Sequence, residues 1–313
     1  MISIVIAACT YKRPAGLRTL LAALDKLRPK NVGKNQIAIV IVDNSEDLGA
    51  QAAVAEYAGT GQFAVHYVSE RRKGIAHARN AVLAKARSLA ATHLAFIDDD
   101  EVPEPDWLDQ LLTALQGSGA AAAVGPVLPV FESVPARYVP IQSYLIERPH
   151  REGLATEGHT CNCLMDLSAI AASNLTFDTR FNEMGGEDTD FFDRMRRSGH
   201  VIAWAQSAIV HEYVPRARMR PQWLLRRWYR TGSTEAAMKS RTMGPASSRV
   251  VNLGMGLVRI AAGSAKVLAA VVFQSWRQPA MLTASCYTLC RGCGFVAYSL
   301  GYNYREYSHP TYR

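Results

Sequence analysis

The sequence predicts an α/β protein built on a doubly wound, mostly parallel sheet. Short apolar runs typical of buried strands recur along the first two-thirds of the chain, amphipathic stretches separate them, and the links between them are short. Strands that alternate with helices in this way form parallel sheets with helices on both faces. With 313 residues, the chain is long enough for one large domain of this class and an appendage.

The predicted elements follow in order. The first strand, at residues 2–8, places its charges after the apolar run, which is the reverse of a secretory signal. Further strands are predicted at residues 37–42, 63–68, 94–97, 121–127, 160–165, 201–204 and 208–211. Helices are predicted at residues 14–27, 48–57, 74–91, 107–115 and 187–198. Residues 126–159 are rich in proline, aromatic residues and charges, which predicts loops.

The character of the chain changes near Pro215. Residues 216–249 hold nine basic side chains and one acid, and residues 250–273 and 281–300 are apolar and helical in pattern. We therefore expect an α/β domain, large enough to form an active site, over residues 1–215 and a basic, apolar helical region over residues 216–313.

Composition limits the classes of partner. A net charge of +8 favours an anionic partner, such as a phosphorylated substrate, an anionic membrane or nucleic acid. The basic residues cluster beside apolar helices and not in a recognition motif, so no nucleic acid is expected. The six cysteines follow no zinc-ligand pairing with histidine, which indicates a reducing compartment without a disulfide framework.

Three adjacent carboxylates, Asp98, Asp99 and Asp100, follow the predicted buried strand at residues 94–97. Adjacent aspartates repel one another unless a cation or hydrogen-bond donors offset the repulsion. The carboxyl end of such a strand opens into the crevice where α/β sheets bind ligands. Carboxylates there, with waters and a substrate diphosphate, would suit Mn²⁺ or Mg²⁺.

An acidic turn before a helix is the simpler alternative. Pro103 and Pro105 are expected to start that helix, with Asp106 in its favourable first turn. This explains Asp106 but not three acids at the end of a buried strand, so the metal interpretation is preferred.

Polar residues stand at or just after the other strand ends, where they are expected to converge. Two glycines before the carboxylate pair Glu187 and Asp188 allow a tight turn at a helix start. A carboxylate beside a metal–diphosphate site is what a general base for a hydroxyl nucleophile requires. A cationic helix start at residues 70–80 suits a phosphate, and its Arg79 and Asn80 are expected to lie nearer the crevice. For Arg71 and Arg72, a position on a solvated helix face is the alternative interpretation.

Five ordered motifs resemble those of the family-2 inverting glycosyltransferases of GT-A fold. They are CTYKRP, IVDNSED, GIAHARN, FIDDDEVPEPDWL and GGEDTDF, within residues 2–230. The tail, with its terminal GYNYREY, is similar to bacterial transferases that build exopolysaccharide or other surface-polysaccharide repeat units.

The resemblance implies roles for individual residues. Thr10, Tyr11, Arg13 and Asp43 match positions that hold the nucleotide, and Arg79 matches an arginine that contacts the donor. Asp98 and Asp100 match the two acids of the DxD motif, with Asp99 between them, Asp98 nearer the ribose and Asp100 on the metal. Asp188 matches the catalytic base, Glu187 the residue that orients the acceptor, and His211 a histidine that completes metal or diphosphate binding.

The implied reaction moves one sugar from a nucleotide sugar, expected to be a UDP-sugar, to a lipid-linked saccharide acceptor with inversion. Mn²⁺ or Mg²⁺ would be the cofactor. Processive relatives carry a Gln-x-x-Arg-Trp motif, whereas Gln222 is followed here by WLLRRW, so processive synthesis is not expected. A retaining route would need a second, nucleophilic carboxylate that the sequence does not clearly offer.

The tail predicts attachment to a membrane. Asn252, Arg259 and Lys266 recur every seven residues, which favours a helix lying in the interface with its apolar side in the lipid. We therefore expect a peripheral enzyme at the cytoplasmic face of a bacterial inner membrane, where basic residues meet anionic lipids. A hairpin packed on the catalytic domain or a homo-oligomer interface is the second interpretation, and a spanning helix is the third.

Other classes of protein stay open at this point. A sugar nucleotidyltransferase would carry a glycine-rich, lysine-containing phosphate loop after the first strand, of which TYKRPAG is a poor version. A non-catalytic nucleotide-sugar-binding membrane scaffold would not need both Asp100 and Asp188.

Overall fold

The computed structural model describes residues 2–131, 150–151, 153–272 and 279–302. They separate into two compact units. The first contains the described residues up to 130, those from 150 to 182 and those from 187 to 213, and the second contains residue 131, residues 183–186 and those from 214 onwards. Part of the predicted loop at 126–159 and all but the first two residues of GYNYREY lie outside the described residues.

A nine-stranded sheet forms the centre of the first unit, in the order β3-β2-β1-β4-β10-β6-β11-β9-β8. Its strands are β1 (Ile4–Thr10), β2 (Ile37–Asp43), β3 (Ala64–Ser69), β4 (His93–Ile97), β6 (Ala122–Val124), β8 (His150–Arg151), β9 (Leu154–Ala155), β10 (Asn162–Asp166) and β11 (Ile202–Trp204). All of them except β9 and β10 run in one direction. The mostly parallel sheet predicted from the sequence is confirmed.

The helices of this unit cover both faces of the sheet. They are α1 (Pro14–Leu24), α2 (Gln51–Thr60), α3 (Ile75–Ser88), α4 (Trp107–Ser118), α5 (Leu167–Ala172) and α6 (Glu187–Arg197). Alternate residues of β1 divide between two apolar clusters, with Ile4 and Ile6 packed with α1, α2 and α4, and Val5 and Ala7 packed with α3, α5 and α6. A strand buried on both faces in this way is the reason for its unbroken apolar sequence.

The order of the strands reverses at β1. The chain moves outwards from β1 to β2 and β3 and then returns through α3 to β4 on the other side of β1. Ligands of open α/β sheets bind outside the carboxyl ends of the strands at such a reversal. Thr10 at the end of β1 and Asp98 just after β4 flank this point.

A separate three-stranded sheet follows the three aspartates, in the order β5-β12-β7. It contains β5 (Glu101–Pro103), β7 (Val127–Phe131) and β12 (Val210–Val214). The expectation that Pro103 begins a helix is therefore wrong, because Pro103 ends β5 and α4 starts only after Asp106. The single strand predicted at 121–127 is two strands, since Gly125-Pro126 interrupts the run and Pro126 has no N–H for a ladder.

Three long helices make up most of the second unit. They are α7 (Pro221–Ser240), α8 (Pro245–Val272) and α9 (Pro279–Ser299), and α9 packs along both α7 and α8. Among the described residues, α8 is the one helix that is long and apolar enough to cross a membrane by length and composition.

The polar stripe of α8 does not lie as the sequence suggested. Asn252 is fully buried and donates to the Ala236 carbonyl on α7, and Arg259 lies over the Phe295 ring of α9. Lys266 alone is exposed. The premise of an interfacial helix whose polar stripe faces water therefore does not hold for Asn252 and Arg259.

Candidate active site

Asp99 connects the loop after β1 to the loop after β4. Its side chain is buried, accepts a hydrogen bond from the Thr10 hydroxyl at 2.7 Å, and accepts a second from the Arg13 guanidinium at 3.1 Å. Arg13 also donates to Asp100 at 2.9 Å. The repulsion among the three aspartates is thus partly offset by donors from the first motif, and Asp99 has a positioning role between two predicted ligands.

Asp98 is the most open of the three carboxylates. Although protein surrounds it, its side chain retains 47% of its exposure, so a ligand can reach it. Burial raises the pKa of Asp98 to about 7, and the neighbouring charges of Asp100, Asp99 and Glu212 act in the same direction against the opposing effect of Arg79. A carboxylate in this electrostatic setting gains from a bound cation.

Arg79 brings two distant motifs together. It lies in the second turn of α3, is buried, and forms an ion pair with Glu187 at the start of α6, with its other terminal nitrogen 3.9 Å from Asp98. The second carboxylate oxygen of Glu187, Oε2, is buried and has no hydrogen-bond partner among the described residues. A buried oxygen without a donor is costly, which makes it a natural acceptor for a substrate hydroxyl.

Asp188 lies beside a histidine that the sequence did not single out. The Asp188 Oδ2 atom is 3.2 Å from His159 Nδ1, and Oδ1 accepts from the Thr189 backbone N–H at 2.7 Å. About a fifth of the Asp188 side chain is exposed, at 18%. The carboxylate is therefore held on two sides while it remains reachable.

Asp43 is engaged by its own loop. Its side chain is fully buried and accepts from the Ser45 backbone N–H and hydroxyl, from the Ala50 N–H at 3.1 Å and from the Tyr67 hydroxyl at 3.0 Å. The structure thus shows Asp43 ordering the loop after β2, and its predicted contact with the nucleotide stays a prediction. Tyr11 is partly exposed beside the amine of Lys12.

His211 faces a different carboxylate from those predicted. It lies on β12 opposite Val102, and its Nε2 atom is 2.7 Å from Oε1 of Glu104. The next residue, Glu212, lies opposite Glu101, the acid that accepts from the Asp98 N–H. Because side chains alternate along a strand, Glu212 and not His211 shares a sheet face with Glu101.

The start of α3 is already capped by a side chain. Asn182 Oδ1 accepts from the Ala76 N–H at 2.9 Å and from the His77 N–H at 3.4 Å. Gly74, with φ of +135°, leaves room for the Asn182 side chain, which a Cβ atom there would strike. The helix start proposed for a phosphate is therefore occupied at these two N–H groups, and Asn80 is engaged with the Phe177 backbone.

The donor set suits a hard divalent cation. Among the residues that the structure describes, no three histidine, cysteine, aspartate or glutamate side chains come together closely enough to hold a metal ion. Asp98 and Asp100 nevertheless present partly open carboxylates on one loop, and carboxylate oxygens are the ligands that Mn²⁺ and Mg²⁺ prefer. The residues present fit such an ion with water and substrate oxygens completing its coordination.

Glu101→Gln is expected to stabilise the fold. Burial, followed by the charge of Asp98, raises the pKa of Glu101 well above its ordinary value. The folded protein therefore binds this proton more tightly than the unfolded chain, and wild-type stability falls as pH rises between the two pKa values. The amide retains an acceptor for the Asp98 N–H, so we expect a gain of about 1–2 kcal/mol, largest on the alkaline side.

Urea unfolding in the presence of chelator, at a mildly acidic and a mildly alkaline pH, measures this effect. Glu46→Gln, at an exposed glutamate, is the control and should change neither value. Equal stabilities of wild type and Glu101→Gln at alkaline pH would show that Glu101 carries no such cost.

Sequence reasoning missed His159, which is a functional candidate, and Asn182, which caps α3. His159 stands three residues before β10, and Asn182 stands just before the glycine pair, so both were near recognised signals. Neither belongs to a periodic pattern. Their partners are 29 and 106 positions away, which no local spacing reveals.

A mostly parallel sheet with carboxylates at the reversal of its strand order fits the GT-A fold that the sequence motifs predict. Residues 3–171 match the model of the family described as Glycosyl transferase family 2, which is more than half of the chain. The chain belongs to this family and is a glycosyltransferase. This assignment replaces the nucleotidyltransferase alternative.

Similar proteins agree with the assignment. The chain is 33% identical to the succinoglycan biosynthesis protein ExoM of Rhizobium meliloti (strain 1021) over 235 residues, which are 74% of each chain. Its fold is similar to that of the mannosyltransferase PcManGT from Pyrobaculum calidifontis, solved with GDP-Man and Mn²⁺. That match has a TM-score of 0.62 and 19% identity, and it covers 93% of this chain and 86% of that one.

A second solved structure shows the same fold. TarS 1-349 of S. aureus, in complex with UDP, matches with a TM-score of 0.53 and 12% identity over 96% of this chain and 92% of that one. At these identities the two structures support the GT-A fold alone.

Proposed function

We propose that this glycosyltransferase moves one sugar, with inversion, from a UDP-sugar to a lipid-linked saccharide in exopolysaccharide biosynthesis. The observation that carries the proposal is the meeting of Arg79, Glu187 and Asp98 at the point where the strand order reverses. The similarity to ExoM, a succinoglycan biosynthesis protein, supports the polysaccharide product. The choice of UDP rests on the resemblance of the motifs.

The donor would be held by residues of the first four motifs. Thr10, Tyr11 and Arg13 are proposed to contact the nucleotide, with Asp43 ordering the adjacent loop. Arg79 would place positive charge beside the diphosphate. Positive groups fixed where negative charge develops stabilise a leaving diphosphate in the transition state.

Asp188 is proposed as the general base. It would accept the proton of the acceptor hydroxyl as that oxygen attacks the anomeric carbon from the face opposite the leaving group. Glu187, through its unpartnered Oε2, would hold and orient the acceptor. A single displacement of this kind inverts the anomeric configuration.

Asp98 and Asp100 would hold a divalent metal, which supplies positive charge toward the diphosphate when it is bound. His211 is the third proposed ligand. Its Nε2 atom is engaged with Glu104, an arrangement that orients metal-binding histidines and leaves the other ring nitrogen for the ion. Asp99 would keep the loop in place through Thr10 and Arg13.

The enzyme is proposed to act at the cytoplasmic face of the membrane, where a lipid-linked acceptor would be presented. Residues 216–249 carry nine basic side chains that anionic lipids would attract. The long apolar helix α8 supports the same location.

A panel of nucleotide sugars, incubated with purified protein and with Mn²⁺, Mg²⁺ or chelator, tests the proposed donor. Metal-dependent release of UDP from one donor would support the proposal and identify the sugar. Release of GDP from a GDP-sugar would replace UDP as the nucleotide. The absence of binding and turnover with every donor would favour a non-catalytic scaffold.

His159→Asn is expected to lower kcat about tenfold and to change the KM of either substrate little, since His159 pairs with the proposed base Asp188 and would orient it. Steady-state kinetics with an identified acceptor measures both constants. His200→Asn is the matched control, because His200 pairs with the Ser173 hydroxyl and not with an acid. A rise in KM with kcat unchanged would instead give His159 a role in binding.

A further inference from the structure

The outward surface of α8 is largely apolar, although Ser247, Arg249, Ser264 and Lys266 are also exposed. Its exposed large side chains are Val250, Val251, Leu257, Val258, Leu268, Val271 and Val272. Val250 and Val258 retain 71% and 69% of their exposure. A helix of a water-soluble bundle would turn these residues inwards.

Two polar residues of α8, Asn252 and Arg259, are turned towards the other two helices. Asn252 is fully buried and donates to the Ala236 carbonyl at 3.0 Å and to the Ser240 hydroxyl at 2.9 Å, both on α7. Arg259 lies 3.6 Å from Glu235 on α7, and its guanidinium is 4.3 Å from the centre of the Phe295 ring on α9.

Glu235 joins all three helices in one ionic cluster. Its Oε1 atom pairs with Arg291 of α9 and its Oε2 atom with Arg259 of α8. The three side chains are each about three-quarters covered, at 27%, 23% and 25% exposure. Arg259 and Arg291 are therefore paired with Glu235 inside the bundle, while large apolar residues of α8 face outwards.

The contact between α8 and α9 relies on glycine. A Cβ atom at Gly256 would lie 2.9 Å from the Gly292 carbonyl oxygen, and one at Gly263 would lie 2.7 Å from the Leu289 backbone nitrogen. Backbones that approach this closely over small residues, with polar groups bonded between helices, are typical of helix packing in lipid.

We propose that α8 is inserted into the hydrocarbon layer of a lipid bilayer, with its outward surface against the acyl chains and with α7 and α9 packed on its other side. Arg259 is the sole charge between Arg249 and Lys266, and it faces the bundle. That interval of 17 positions spans about 25 Å of helix, close to the thickness of a hydrocarbon core. The exposed Arg249 and Lys266 would lie near its two borders.

Lipid explains the inverted polarity better than a second protein chain does. In water, Arg259 and Asn252 would gain by facing outwards, and an interface between soluble copies would not require them to be buried. In lipid, every polar group must find its partner inside the bundle. The proposal does not depend on the transferase activity, and it replaces surface attachment with insertion.

Reconstitution of the full chain into vesicles of equal parts phosphatidylcholine and phosphatidylglycerol tests insertion. The vesicles are floated on a density gradient after washing with high salt and then with alkaline carbonate. Inserted protein is expected to stay with the vesicles through both washes. Val258→Glu, which places an acid on the lipid-facing surface, is expected to lower the carbonate-resistant fraction several-fold.

Val201→Glu is the matched control, because Val201 is an exposed valine of the first unit with 43% exposure. It should leave the carbonate-resistant fraction unchanged, and circular dichroism in detergent confirms that both variants are folded. Release by high salt, or release by carbonate alone, would overturn insertion in favour of surface attachment. A protein that forms a dimer without detergent and does not bind the vesicles would show that the apolar surface contacts a second copy of the chain.

Discussion

Asp188→Asn is expected to lower the rate of sugar transfer by about 10²–10⁴-fold while the donor still binds. An amide cannot accept the proton of the acceptor hydroxyl. It has nearly the shape of the carboxylate and still offers an oxygen to the Thr189 N–H, which lies 2.7 Å from Asp188 Oδ1. The loss should therefore arise in catalysis and not in folding. Acceptor-dependent release of the nucleotide measures catalysis, and calorimetry of donor binding reports whether the variant is folded. Together they separate a loss of catalysis from a loss of folding.

Asp193→Asn provides the control on the same helix. Asp193 forms a surface pair with Arg197 at 2.7 Å, four residues on, and such pairs contribute only about 0.3–0.5 kcal/mol to stability. Its transfer rate should equal that of wild type. If Asp188→Asn transfers sugar at the wild-type rate, another group must take the proton, and the proposed assignment of the base is wrong.

Seven of the nine strands of the main sheet could be predicted because each has a local apolar sequence pattern, whereas β8 and β9 lie within residues 126–159, where the sequence predicts loops. The apolar runs before Thr10 and Asp98 are buried on both faces, and their sequences contain almost nothing but apolar residues. Parallel strands end at one edge, so the convergence of the residues that follow them could also be expected. Thr10 and Asp99 meet across 89 positions for this reason.

The pairing of side chains within the site could not be predicted in the same way. Arg79 and Glu187 are separated by 108 positions and meet through the packing of two helices on one sheet face. Nothing in the spacing of GIAHARN or GGEDTDF indicates which of their polar residues will be partners. The sequence suggested Arg79 for the donor and Glu187 for the acceptor, whereas the structure places them in one ion pair.

Periodicity also leaves the direction of a helix face undetermined. The seven-residue spacing of Asn252, Arg259 and Lys266 shows that they share a side of α8. It does not show whether water or other helices lie on that side. The answer depends on Glu235 and Phe295, which belong to other helices and provide partners for Arg259.

Asp100→Asn and Asp98→Asn are each expected to weaken metal-dependent donor binding by at least about 10²-fold. Two carboxylates supply the charge that a divalent ion needs, and either amide removes half of it. Because the pKa of Asp98 is raised to about 7, metal must displace a proton from it near neutrality, so metal affinity should rise with pH across this range. Calorimetric titration of UDP with Mn²⁺ or with chelator, at several pH values, measures both effects.

Asp106→Asn tests whether a loss of donor binding reflects a lost metal ligand or merely the removal of a negative charge from this segment. Asp106 is exposed, eight positions after Asp98, and accepts only from Gln110 among the hydrogen bonds of its side chain that the structure shows. Its variant should bind donor as wild type does, with and without Mn²⁺. Because Asp98→Asn abolishes a titrating group, it should also flatten the rise of residual metal affinity with pH. If Asp98→Asn keeps the wild-type pH dependence of metal affinity, the metal displaces its proton from a residue other than Asp98.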